Sequence, residues 1–160
     1  MRYWLMKTEP GTFSADDLAA APRATTFWDG VRNFQARNML RDEMQRGDGV
    51  FMYYSSTEVP GIVAIMEVVK GGYPDPTAFD RKHHHYDPDS DRKNPRWFMV
   101  DVQLKRRLAR IITLEELRAH AGKELKGMVL LRPGNRLSVT PVESAQWKFI
   151  LSLESRAAPK

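Results

Sequence analysis

Two neighbouring runs, "VFMYY" at Val50–Tyr54 and "GIVAIMEVV" at Gly61–Val69, constrain this chain more than any other feature. Both are apolar and rich in β-branched or aromatic residues, the side chains that fit a pleated, half-buried surface. The polar "SSTEVP" between them leaves room only for a turn. They are read as paired strands at the centre of a sheet, the second buried on both faces. The rest of the chain must then supply further strands, or helices that cover this sheet.

Further strands follow from alternation. "RYWLMK" sets Tyr3 and Leu5 against Trp4 and Met6 and stops at "EPG"; "WFMVDVQL" sets Phe98, Val100, Val102 and Leu104 against Trp97, Met99, Asp101 and Gln103. "NRLSV" reads as a brief last strand. Helices are marked by their starts. Ser14 is an N-cap with Asp16 and Asp17 in the positive first turn, and Phe13 and Leu18 make a hydrophobic staple. Ala36, Met39, Leu40 and Met44 recur at helical spacing from about Asn33 to Gln45. Thr113 with Glu116 forms a capping box, and Thr140, Pro141 and Glu143 open a last helix that reaches about Leu151. Lys70 to Pro95 carries prolines, aspartates and "HHH" without periodicity and reads as a long surface loop. Strands outnumber helices and do not alternate with them, so an α+β fold is expected: a curled, mostly antiparallel β-barrel with peripheral helices.

Length and composition bound what such a fold can do. The chain has 160 residues, enough for one domain with a real core and too few to expect two. A single domain over 1–153 is expected, with a frayed tail over 154–160. There is no cysteine, hence no disulfide framework, thiolate nucleophile or zinc finger. No apolar run approaches the roughly 18–20 residues that span a bilayer, and no signal-peptide pattern opens the chain. A cytoplasmic monomer without membrane contact is the expectation. Net charge is +5, from 25 basic and 20 acidic residues, which favours anionic partners. Lys105, Arg106 and Arg107 lie together in "LKRRLAR", and Arg32, Arg37 and Arg41 near the second helix. Such clusters suit phosphates, and are as often solvated faces or partners of nearby acids.

Catalytic and metal motifs are weak. Adjacent residues in "HHH" point in different directions and have no carboxylate at ligand spacing, so no metal or other cofactor is read from His83–His85. Ser55, Ser56 and Ser138 lack a nucleophile elbow, and no glycine pattern cradles phosphate. What remains is aromatic residues interleaved with polar ones at strand ends: "YWLMKTEP", "FWDGVRN", "YYSS" and "NRLSV". A pocket for a flat heterocycle needs an aromatic face plus donors and acceptors in the ring plane. Trp28 and Tyr54 can stack; Glu9, Asp29, Asn33, Ser55 and Ser56 are of the right type for a cytosine-like edge. Spacing alone leaves Trp28 between buried anchor and binding surface, and places Trp4 in the core.

These segments, with "YPDPTAFD" at Tyr73–Asp80 and "NPRWFMVDV" at Asn94–Val102, resemble in order and over nearly the whole chain the EVE domain family. The resemblance implies a PUA-like fold, similar to the folds of YTH and SRA-type readers of modified bases. It implies a non-enzymatic reader of a modified, flipped base in DNA or RNA, with C5-modified cytosine the favoured ligand. By motif match the base pocket comprises Trp4, Lys7, Glu9, Trp28, Asn33, Tyr54, Ser55, Ser56, Arg136, Leu137 and Ser138, with Trp97 in the wall. Trp28 would stack, Asn33 and Ser55 meet the base edge, and Glu9 accept from an exocyclic amine. Phosphates would fall to Arg32, Arg37, Arg41, Arg136 and the run Lys105, Arg106 and Arg107. Two departures from family habit stand out: Tyr54 where many members show histidine, and Ala64 where glycine is frequent. Two alternatives stay open: a general RNA-binding accessory without modified-base specificity, and a hydrolase of modified nucleotides using Glu9 as base.

Overall fold

The computed structural model describes residues 1–158. Six strands form one sheet: β1 (Tyr3–Thr8), β2 (Thr25–Trp28), β3 (Gly49–Tyr54), β4 (Gly61–Pro74), β5 (Phe98–Thr113) and β6 (Val139–Val142). Their order is β2-β5-β4-β3-β1-β6, with β1 and β3 parallel and every other pair antiparallel. The expected closed barrel is corrected to an open sheet whose edges are β2 and β6. Both edge strands have only four residues, which limits the unpaired backbone left exposed.

The pleat sends alternate side chains to two cores. Trp4 and Met6 enter one with Val50, Met52, Met66 and Val102; Leu5, between them, enters the other with Phe51, Ile62 and Ile112. Truncating Leu5 to alanine removes a fully buried side chain and is expected to cost about 2–5 kcal/mol. The first core is covered by α1 (Ala15–Ala20) and α2 (Phe34–Asn38), the second by α3 (Leu114–Ala119) and α4 (Ser144–Glu154). Ser14 caps α1 in a full capping box with Asp17. Thr113 caps α3 through the Glu116 amide, while the Glu116 side chain turns instead to Arg110.

Four expectations change. "TTFW" is a strand, β2, concealed by its brevity; it pairs Trp28 with Val100. The expected loop from Lys70 begins later, because β4 continues to Pro74 and a 3-10 turn follows at Pro76–Phe79. Gly72 permits this, since any Cβ there would strike the Leu40 carbonyl oxygen. The second helix is α-helical only to Asn38, and one π-helical turn, Met39–Glu43, completes it. The last helix starts at Ser144 behind a Glu143–Gln146 capping box, because Thr140 and Pro141 belong to β6. An edge strand tolerates that proline. Of the expected tail, Glu154 ends α4 and accepts two hydrogen bonds from Arg106; Pro159 and Lys160 lie outside the described residues. No helix among the described residues is long and apolar enough to cross a membrane.

Candidate nucleic-acid interface

The parallel pairing of β1 with β3 and the pairing of β2 with β5 bring Lys7–Thr8 and Trp28–Asp29 to one end of the sheet. There they meet Thr12 and Phe13 and the segment His83–His85 around a cavity of about 420 Å³. That volume lies in the roughly 300–1,000 Å³ range of ligand pockets. Two rings make its aromatic corner: Phe13 stands edge-on to Trp28, with centroids 6.1 Å apart and planes at 86°. Trp28 is 8% exposed, so its anchoring belongs to the core and its remaining surface to the cavity. Polar groups line the rest: the Lys7 ammonium, the hydroxyls of Thr8, Thr12 and Thr26, and the Asp29 carboxylate.

A buried carboxylate positions the far wall. Asp75 is fully buried and accepts from the Gly30 amide at 3.0 Å, Arg32 Nη1 at 3.1 Å, the Thr77 amide at 2.9 Å and the Thr77 hydroxyl at 2.5 Å. Burial pushes its pKa up, but the donors from Thr77, Gly30 and Arg32 outweigh that and hold it below the ordinary carboxyl value. Arg32 also donates to the His85 carbonyl at 2.8 Å, tying the histidine segment to the turn after Trp28. Gly30 has φ +76°, and its missing side chain is where the His85 ring sits.

The histidines pack on one another, with centroids 3.9–4.8 Å apart. His85 Nδ1 lies 3.4 Å from an Asp29 carboxylate oxygen, an ion-pair distance without hydrogen-bond alignment. Burial holds the His85 pKa below the usual imidazole value; His84, Arg32 and His83 add to the effect and Asp29 opposes it. The ring nitrogens of the three lie within 4.8 Å of one another. His83 and His84 are nevertheless stacked at an interplanar angle of 17°, and in-plane lone pairs of stacked rings do not converge on one ion. These rings act better as a wall than as a ligand set. Their place in the cavity had no signal in the sequence beyond their repetition.

The model of the EVE domain matches residues 2–153. The chain belongs to the EVE domain family. It is 45% identical to human thymocyte nuclear protein 1 over 169 residues, covering 96% of this chain and 74% of that protein. Human THYN1 crystallised with DNA containing 5-methylcytosine superposes with a TM-score of 0.93 at 44% identity, covering 99% of this chain and 100% of that one. At 12% identity, the YTH domain of the Zygosaccharomyces rouxii MRB1 protein superposes with a TM-score of 0.50 over 98% of this chain and 88% of that one, a likeness of fold alone.

Within this EVE domain the residues named from the sequence are dispersed. Lys7 and Trp28 line the cavity, as does Asp29. Trp4 does not: it is 2% exposed and its indole N–H donates to the buried Asp48 at 2.9 Å. Asn33 is an exposed N-cap that accepts from the Ala36 amide, and the Tyr54 hydroxyl accepts from the Ala15 amide at 2.8 Å. Ser55 hydrogen-bonds the Thr8 carbonyl through its own amide, while Glu9, Ser56 and Arg136 are exposed outside the cavity. Leu137 packs on the first core, and the Ser138 carbonyl accepts from the Lys7 amide. Trp97 donates to Asp87 at 2.5 Å and stacks on Phe34, away from the cavity.

The cations named for phosphate are mostly engaged. Arg32 serves Asp75, Arg37 donates to the Arg96 carbonyl, and Arg41 is bidentate to Asp42. Lys105 pairs with Glu67, Arg106 with Glu154 and Arg107 with Asp16.

Proposed function

We propose that this domain is a non-enzymatic, PUA-like reader that takes a modified base, C5-modified cytosine foremost, out of a nucleic-acid strand and into the Trp28 cavity. The observation that carries the reading is the aromatic corner of Trp28 and Phe13 beside Asp29 and Lys7. A flat ring lying on one aromatic face presents its edge to the other. Asp29 accepts from an exocyclic amine and Lys7 donates to a carbonyl, the pattern a cytosine edge requires. Stacking contributes about 1–3 kcal/mol per base, against a few kcal/mol for flipping. The complex of human THYN1 with 5-methylcytosine DNA supports DNA and this modification.

Titration of matched oligonucleotides, plain and 5-methylcytosine-containing, tests it. Wild type should prefer the methylated strand, and Trp28→Ala should abolish the preference. Because Trp28 also packs in the core, Asp29→Ala provides a second measurement at a half-exposed position, with the same loss expected. Equal binding of both strands by wild type overturns the reading. The hydrolase alternative loses Glu9 and gains the Asp29–His85 pair inside the cavity. Turnover of a modified nucleoside, absent in His85→Ala, would favour it.

A further inference from the structure

Lys7 borders a second recess of about 330 Å³, on the side away from Trp28. There it meets Arg118 from α3, Arg132 and Asn135 from the connection into β6, and the Tyr53 side chain. No carboxylate lines this recess, and among the described residues no acid pairs with Lys7, Arg118 or Arg132. The Asn135 amide nitrogen is buried without a hydrogen-bond partner, although its oxygen accepts from the Leu137 amide. A buried donor left unmade costs about 1–3 kcal/mol, so such a group marks a place where an acceptor belongs. Burial already lowers the Lys7 pKa, the response of an ammonium with no compensating anion.

Three cations, one orphan amide and no acid match the chemistry of a phosphate, which offers several acceptor oxygens and negative charge. We propose that this recess is an anion site that holds a backbone phosphate of the strand whose base occupies the Trp28 cavity. The proposal rests on the base-reading function above, and Lys7 is the hinge between the two: one side chain bordering both spaces fixes the spacing from base to phosphate. The phosphate contact then positions the strand and the cavity reads it. Arg118 and Arg132 are exposed at their positions and can be replaced without opening the core.

The test compares wild type with Arg118→Ala/Arg132→Ala and with Arg46→Ala, an exposed cation elsewhere. Oligonucleotide affinity should fall about tenfold or more at low salt in the double variant, as for lost charge-assisted hydrogen bonds. The slope of log K against log salt should shrink by about 1–2, with little change in Arg46→Ala. The ratio of methylated to plain binding should survive. In a second arm, 5-methyldeoxycytidine 3′- or 5′-monophosphate should bind wild type more tightly than the nucleoside does, and the double variant should bind them alike. A wild-type salt slope in the double variant, or no gain from the phosphate in wild type, overturns the proposal. Should wild type bind plain and methylated strands equally, the base reading fails alone; the recess then stands if both strands lose the same slope in the double variant.

Discussion

The basic run on β5 and the cations around Lys7 carry the same charge and differ in their partners. Lys105, Arg106, Arg107 and Arg110 are neighbours in sequence, yet the two-residue period of a strand sends them apart. Arg107 reaches Asp16 beside α1 on one face, while Arg106 and Arg110 reach Glu154 and Glu116 of the helices on the other. Each is spent on holding the fold. Lys7, Arg118 and Arg132 are more than a hundred residues apart in sequence, gather at one recess, and meet no acid there. Clustered charge in a sequence therefore marks where bridges form here, and dispersed charge marks where a ligand fits.

Removing one partner from the paired side should produce the largest effect. Arg110 donates two hydrogen bonds to Glu116, at 2.7 and 2.8 Å, and others to the Leu153 and Arg156 carbonyls. Glu116 is only 5% exposed, so Arg110→Met strands a buried carboxylate and should cost about 3–5 kcal/mol. Thermal unfolding would show this as a fall of roughly 6–20 °C for a chain of this size. Arg118→Ala, whose side chain has no such partner, should stay within about 0.5 kcal/mol. Equal losses in the two would erase the comparison.

Acid should separate the sides next. The Asp75 and Glu154 carboxyls are held below their ordinary values, Asp75 by its donors against burial and Glu154 chiefly by Arg106. A carboxyl whose folded pKa is depressed contributes stability above its unfolded value, and loses it as pH falls through the folded one. His85, held low and neutral by burial, acts in the same direction: the unfolded chain takes up its proton first as pH drops below the usual imidazole value. Melting temperature should therefore decline from pH 7 to pH 3, and Asp75→Asn should flatten part of that decline below about pH 4. The acid-free recess contributes no carboxyl to it. An Asp75→Asn profile parallel to wild type would show that Asp75 is not part of the paired scaffold.

How much of this was legible in the sequence depends on the range of the interaction. The central strands, the Ser14 and Thr113 caps and the apolar stripe of Ala36, Met39 and Leu40 follow from local periodicity and capping chemistry, and all are present. β2 and the β6 start were missed because four-residue strands carry too little pattern, and Pro141 reads equally well as a helix start or an edge-strand residue. The site was harder. Asn33 has the right chemistry for a base edge and the right chemistry for an N-cap, and the structure uses the second. His83–His85 reach the cavity only through the Asp75–Arg32 hub, a contact between distant segments. Arg118 and Arg132 sit on polar turns without a motif.

Gly30 tests the wall that this hub builds. Alanine there needs φ +76° and places a methyl group in the His85 ring, so strain and displacement should cost about 1–3 kcal/mol. Discrimination for the modified base should weaken, while the salt slope set at the recess stays as in wild type. Loss of both together would mean that cavity and recess are not separate sites.

The smallest expected effect lies at Lys105. Its bridge to Glu67 spans 3.3 Å between side chains 46% and 38% exposed, a geometry that contributes about 0–1 kcal/mol and is screened by salt. Lys105→Ala removes a full positive charge from the most basic segment of the sequence. If availability rather than clustering governs binding, melting temperature should barely move, and oligonucleotide affinity and its salt slope should match Arg46→Ala. A drop in slope as large as that of the Arg118/Arg132 double variant would instead show that the β5 run faces the strand with its bridge open. The pairing seen here would then describe only the free protein, and the contrast between the two groups of cations would fall.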